Sequence, residues 1–325
     1  MPADRVVLAV IERREPVAVL RALGLGDLLT AVPALRGLAA GLPRRRLLLA
    51  APAGLAPLVA LMGAAAARIE LVDARGLDAV PAGLRRARSA VNLHGSGPQS
   101  HRLLLATGAR RLLAFRHPDV AESAGGPAWD PREHEVARWC RLLAHCGIEA
   151  DPAALDLETP AAAARHPLRG ATVVHSGAAS PARRWPAERF AAVARAEREA
   201  GRRVVLTGGP DEVALTRRIA ARAGLPDRCV LAGRTDLDGL AALVAAAGRV
   251  VCGDTGVAHL ATALGTPSVL LFGPTSPDVW GPPPARRDRH RVLWTGTIGD
   301  PHAARPDDGL LRIGPERVLR ELAAL

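Results

Sequence analysis

Tyrosine and lysine are missing from the 325 residues, phenylalanine occurs three times, and aromatics make up 2% of the chain. Nucleic-acid bases would find few stacking platforms, which argues against nucleic acid as a partner. Long apolar runs are missing too. None approaches the ~20 residues of a membrane span, and the apolar stretch 6–11 is too short for the core of a signal peptide. A cytoplasmic chain is expected. Cysteine is scarce: Cys140, Cys146, Cys229 and Cys252 form neither a CxxC pair nor a disulfide framework. His134, Cys140, His145 and Cys146 lie close in sequence, but on a helix 134, 145 and 146 share no face with 140. Core positions are expected there, and no metal.

What the chain has instead is arginine. The net charge of +11 comes with Arg as the only basic residue besides His, spread over both halves of the chain. An anionic partner fits this charge: nucleotide phosphates, a phosphorylated glycan or a lipid surface. The clusters 44–46 and Arg85, Arg86, Arg88 would suit a membrane face, but solvated helix ends suit them better.

Short apolar runs alternate with longer Ala/Leu/Arg stretches at helical spacing. The pattern predicts strands at 17–20, 46–50, 69–72, 90–93 and 111–114, with helices at 28–40, 55–62, 82–88, 99–107 and 133–146. A proline-bearing stretch, 151–170, reads as a linker. Strands then follow at 172–175, 203–207, 229–231, 249–252 and 268–272, with helices at 187–200, 211–223, 237–247, 257–264 and 315–325. Alternation in both halves implies two α/β domains with parallel sheets covered on both faces. Ligands of such sheets sit beyond the carboxyl ends of the strands, so the loops after strands carry the search.

Four such loops hold unusual residues. In RALGLGDLLTAVPALRGL, 21–38, Gly24 and Gly26 permit a tight turn, Asp27 can cap a helix or act as a base, and Pro33 interrupts the helix. A dinucleotide fingerprint would need glycine where Leu29 stands, which argues against a nicotinamide enzyme. In HSGAASPARRWP, 175–186, loop amides and Arg183 with Arg184 suit an anion, and Trp185 could anchor a domain surface. In LTGGPDE, 206–212, Asp211 or Glu212 could cap a helix or accept from ribose hydroxyls. In GDTGVAH, 253–259, the amides and hydroxyl of Thr255 and the amide of Gly256 would grip a phosphate. Asp254 would accept from sugar hydroxyls, and His259 stands one turn on.

These segments, together with NLHGSGPQSHRLL at 92–104 and LAGRTDLDGLAALVAAAGRVVCGDTGVAHLATALGTPSVLLFGPT, resemble glycosyltransferase family 9, the heptosyltransferases of lipopolysaccharide core assembly. The resemblance implies a GT-B fold: two Rossmann-like domains whose parallel sheets face a central cleft. It implies an acceptor-side domain over 1–155, a nucleotide-sugar donor domain over 156–314, and a closing helix over 315–325 that packs across the junction. It further implies inverting, metal-independent transfer of a heptose or related sugar from a nucleotide-diphosphate sugar, such as ADP-heptose, to a glycan or glycolipid hydroxyl. No cofactor is implied, and the work would be done in the cytoplasm, with peripheral contact at the inner membrane surface. By position, Asp27 matches the general base. Arg183, Thr255 and Gly256 match diphosphate contacts, and Glu212, Asp254 and His259 ribose and sugar contacts. Gly26, His94, Gly95, Ser96, Gln99 and Ser100 fall on the acceptor side. Arg183 stands where the family has lysine, a planar fork in place of a point charge. The alternatives are a sugar-nucleotide epimerase or hydrolase on the same fold, and a non-catalytic sugar-nucleotide-binding protein.

Overall fold

In the computed structural model, which describes residues 15–325, the chain divides into two compact units that meet in sequence at Leu157 and Glu158. The apolar stretch 6–11 lies outside the described residues. The first unit holds a five-stranded parallel sheet: β1 (Val17–Leu20), β2 (Leu47–Ala51), β3 (Ile69–Asp73), β4 (Ser89–Asn92) and β5 (Arg111–Leu113), in the order β3-β2-β1-β4-β5. Strands β1, β2 and β4 are buried along their whole lengths. That explains their unbroken apolar reading, because a sheet covered on both faces leaves no polar side to alternate with.

The second unit repeats the plan. Its strands are β6 (Thr172–His175), β7 (Val204–Thr207), β8 (Arg249–Gly253), β9 (Ser268–Leu271) and β10 (His290–Leu293), in the order β10-β9-β8-β6-β7, again all parallel. Two expectations fail here. The run 229–231 is not a strand: it joins the sheet through a single bridge, Leu206 to Val230, and a short 3₁₀ turn at Asp227–Cys229 takes up its start. Strand β10 went unpredicted because its sequence, HRVL, follows a run of arginines and reads as polar.

The order has one consequence for function. In each sheet the chain runs outward to one side and then returns to the other, so a switch point falls between β1 and β4, and again between β6 and β8. Ligands of open α/β sheets bind at such points. Registers Leu20 to Asn92 and His175 to Cys252 set the two strand ends side by side at each. Three of the loops singled out by the sequence, after β1, β6 and β8, leave these ends, as does the segment 92–104 after β4; the fourth, 206–212, leaves the edge strand β7 beside β6.

The helices follow the expected pattern with three exceptions: 82–88 is only a 3₁₀ turn at Ala82–Arg86, 55–62 is helical only over Ala56–Ala60 after a 3₁₀ turn, and 28–40 is broken. The helix expected over 28–40 is two: α1 (Leu25–Thr30) and α2 (Val32–Gly41). Pro33 lies in the first turn of α2, where its missing N–H costs nothing. The remaining elements used below are α3 (Gln99–Ala106), α4 (Glu135–His145), α5 (Ala187–Glu199), α6 (Val213–Ala223), α7 (Leu237–Ala246), α8 (Gly256–Ala263) and α9 (Pro315–Ala323). Helix α9 packs on α5 and β9 of its own unit, and Arg249 donates to its Leu322 carbonyl at 2.7 Å. Among the described residues no helix is long and apolar enough to cross a membrane.

Candidate functional site

At the switch point of the first unit, Asp27 is not the N-cap but the third residue of α1. Its Oδ2 reaches back to accept from the Gly24 N–H at 3.2 Å, while 28% of its side chain stays exposed. Behind it lies Arg21, fully buried at the end of β1. Its Nε donates to the Asp27 carbonyl at 2.9 Å, its NH2 to Thr30 Oγ1 at 3.0 Å and to Glu135 Oε1 at 2.9 Å, and NH2 lies 3.6 Å from Asp27 Oδ1. The guanidinium also stacks on Trp139, 4.8 Å from the ring centroid. Arg21, Glu135 and Trp139 were not singled out by the sequence, since a buried ionic group reads like any surface one.

The strand next door ends in Asn92, which organises the loop 93–100. Its Oδ1 accepts from His94 N at 2.8 Å, and its Nδ2 reaches Gly95 O, Ser100 Oγ and His101 Nδ1. His101 Nε2 lies 2.7 Å from the Phe115 carbonyl, which can only accept, so the ring proton sits on Nε2 and Nδ1 accepts from Asn92. Gly97 has φ +88°, and a Cβ there would stand 2.6 Å from the His101 ring. Of the acceptor-side residues, His94, Gly95, Ser96 and Gln99 are at least partly exposed, but Ser100 is buried with its hydroxyl taken by Asn92. Burial lowers the His94 pKa, Arg21 adds to that, and Asp27 opposes it. The His94 Nδ1 is buried without a hydrogen-bond partner among the described residues.

At the second switch point, β6 ends at His175, whose Nδ1 lies 3.0 Å from Thr207 Oγ1. Burial depresses its pKa, with Glu212 pulling the other way. Ser180 caps the 3₁₀ turn Pro181–Arg183, which delivers Arg183 to the loop after β8. There NH1 lies 3.4 Å from the Asp254 carbonyl and 3.8 Å from Asp254 Oδ2. Asp254 itself is 5% exposed. Thr255 is the N-cap of α8, yet its side chain caps nothing; Gly256 opens the helix, and His259 lies against Trp280, ring centroids 6.2 Å apart. Arg184 turns away to the Ala178 carbonyl. Trp185, expected as a surface anchor, is buried: it packs edge-to-face on Phe190 and donates to the Ile313 carbonyl inside the second unit.

Glu212 caps the turn Pro210–Glu212 from its third position, accepting from Gly209 N at 2.8 Å. Its carboxylate lies flat against Gly177, where a Cβ would come within 1.8 Å of Oε1. Gly177→Ala is therefore expected to swing Glu212 aside at little cost in stability, because a carboxylate end moves easily. If Glu212 meets a ribose, as the resemblance implies, nucleotide affinity should fall about tenfold, one good hydrogen bond's worth, with an almost unchanged thermal midpoint, both readable by calorimetry.

Six buried side-chain polar atoms find no hydrogen-bond partner among the described residues. Four of them, His94 Nδ1, Ser176 Oγ, Arg183 Nε and Thr255 Oγ1, lie in the loops at the two switch points, Thr255 with only the weak Cys252 thiol beside it. An orphaned buried polar group costs about 1–3 kcal/mol and calls for an explanation. Loops built to hold a polar ligand supply one. The cysteine–histidine cluster carries no such signal. His134 caps α4, His145 bonds the Gly125 carbonyl, and burial pushes the Cys140 and Cys146 thiols up to about 12 and about 11.

Comparison with known proteins gives the family and the fold. Residues 127–301 match the family described as glycosyltransferase family 9 (heptosyltransferase). Lipopolysaccharide heptosyltransferase 2 of Escherichia coli K12 is 37% identical over 155 residues, 45% of this chain and 43% of that protein. The chain thus matches less than half the length of such curated relatives. Among solved structures, the E. coli ADP-heptose lipopolysaccharide heptosyltransferase II superposes with a TM-score of 0.74 at 25% identity, covering 95% of this chain and 98% of its own. An E. coli heptosyltransferase, WaaC, solved with ADP, gives 0.69 at 19% identity over 95% and 99%.

Proposed function

The chain belongs to glycosyltransferase family 9, and we propose that it moves a heptose or related sugar from a nucleotide-diphosphate donor, ADP-heptose first among candidates, to a glycan or glycolipid hydroxyl. The donor is assigned to the second unit. Arg183, Thr255 and the first amides of α8 take the diphosphate, Glu212 the ribose, and Asp254 with His259 the sugar. The acceptor is assigned to the first unit, with Asp27 as general base and Gly26, His94, Gly95, Ser96 and Gln99 around it. The observation that carries this reading is the placement of the orphaned polar atoms, three of which lie where a diphosphate-sugar would supply partners.

The chemistry follows from these groups. An acceptor hydroxyl is a weak nucleophile until a carboxylate takes its proton. As its oxygen bonds to the anomeric carbon from the face opposite the diphosphate, the bond to the diphosphate breaks and that group leaves with added negative charge, inverting the centre. No step in this scheme needs a metal. Arg183 and the α8 amides are fixed before that charge develops, and preorganised donors of this kind often accelerate a reaction more than any other single effect. An acceptor carried on a glycolipid would place the protein at a membrane surface, in peripheral contact on the cytoplasmic side.

Calorimetric titration with ADP, UDP, GDP and CMP tests the donor site. ADP is expected to bind selectively, and Arg183→Ala to weaken it at least tenfold, since a charge-assisted bond to phosphate is worth about 1.5–3 kcal/mol. Absence of binding, or indifference to the substitution, would overturn the assignment.

A further inference from the structure

We propose that the amino-terminal edge of the first sheet is a docking surface for anionic lipid bilayers, built from arginines in strand register. It deepens, and rests on, the reading above by naming the face that meets the membrane. Because every strand of that sheet is parallel, all five amino ends lie along one edge. The residues immediately before β3, β2, β1, β4 and β5 are Arg68, Arg46, Pro16, Arg88 and Arg110, and the register makes them neighbours in a row. At about 4.8 Å between strands the row runs roughly 19 Å.

The flanking residues enlarge it. Segments 15–16, 44–46, 68–70, 85–88 and 110–111 hold nine arginines and two acids, Glu15 and Glu70. Glu70 pairs with Arg46 and Arg86, and Arg68 turns to the carbonyls of Leu42 and Arg45. Arg44, Arg85, Arg88 and Arg110 remain exposed. Like charges on the adjacent rungs of Arg88 and Arg110 repel, and among the described residues neither side chain gains an ion pair in return. In the second sheet the same positions read Arg289, Pro267, Gly248, Ala171 and Arg203, and both arginines donate to carbonyls at that edge.

Charge complementarity selects the occupant. The five segments contain no aromatic residue on which bases could stack, which favours a lipid surface over a nucleic acid. Nor is a large apolar side chain exposed there: Ile298, the exposed one among the described residues, is in the second unit. Attachment is therefore electrostatic and reversible by salt. Asp27 and His94 follow the opposite, carboxyl ends of four-residue strands, so docking on the amino edge holds those loops above the bilayer, and an acceptor anchored in it must extend past the sheet to reach them.

The test is co-sedimentation of the full chain with vesicles of phosphatidylcholine, alone or mixed with phosphatidylglycerol, at about 0.15 M salt. The chain should favour the anionic vesicles at least tenfold. Each basic residue near such a surface is worth roughly fivefold, so Arg44, Arg85, Arg88 and Arg110 changed together to Gln should remove that preference. A matched variant with Arg165, Arg217, Arg218 and Arg228 changed to Gln keeps the same net charge and should bind like the parent. Equal binding to both vesicles, no loss in the edge variant, or equal loss in the matched variant would overturn the proposal. So would an edge variant that loses binding to a single-stranded oligonucleotide but not to vesicles. ADP titration of the edge variant separates the two readings: loss of vesicle binding with intact nucleotide binding concerns this face alone. Vesicle binding in a chain that binds no nucleotide would sink the transferase reading instead.

Discussion

Asp27→Asn is expected to lower sugar transfer by about 10²–10⁴-fold, the usual worth of a positioned general base, while nucleotide binding stays as it was. The substitution isolates the proton-transfer role because the local structure tolerates it. Asparagine keeps an oxygen that can accept from the Gly24 N–H, so the cap of α1 survives. The ion pair to Arg21 is 3.6 Å long, and over a quarter of the Asp27 side chain is exposed, so its loss costs about 1 kcal/mol or less. Arg21 keeps its bonds to the Asp27 carbonyl, Thr30 and Glu135. A tenfold drop that tracks the thermal midpoint would point to a structural role. Unchanged turnover would remove Asp27 from the chemistry. Release of free sugar at equal rates with and without an acceptor would favour the hydrolase on the same fold.

The fold was legible because parallel strands buried on both faces leave continuous apolar runs, and because glycine, proline and small residues mark the loops between them. Legibility failed at the second sheet's two edges. There the run 229–231 has strand composition but reaches the sheet through one bridge, while β10 has charged composition and pairs over four residues. An edge strand needs only one apolar face, so composition alone misjudges it in both directions. At the site, the residues proposed to touch a ligand stood out by their loops: Asp27, Arg183, Glu212, Asp254 and Thr255. Those that hold the loops in place did not. Asn92 looks like any polar residue ending a strand, yet its amide ties together four positions of the next loop. Gly177 looks like loop filler until the Glu212 carboxylate is seen against it. Trp185 looked like a surface group because it follows two arginines, one of which turns back to the loop while the indole goes inward.

The network behind Asp27 is where the second large effect is expected. Glu135→Ala should destabilise the protein by about 3–5 kcal/mol, the range for removing one partner of a buried ion pair. Glu135 is 3% exposed and serves three groups at once: Oε1 accepts from Arg21 and from Trp139 Nε1, and Oε2 pairs with Arg138. Both guanidiniums are as buried as the carboxylate, and they lie over Trp139 and Trp129. Burial already depresses the Arg138 pKa, with Glu135 the main opposing charge. Without that carboxylate two positive charges share a space with no counter-charge of equal reach. The loss is large against the ~5–15 kcal/mol that holds a typical domain, and urea denaturation would read it directly. Glu135→Gln keeps the shape and the bond to Trp139, so it should cost less. It should still slow transfer, because a neutral amide holds Arg21 less tightly than the carboxylate does, and Arg21 then fixes the Asp27 backbone less well. If Glu135→Gln unfolds at the parental urea midpoint yet transfers more slowly, the network positions the base. If stability and rate fall in step, it is only part of the core.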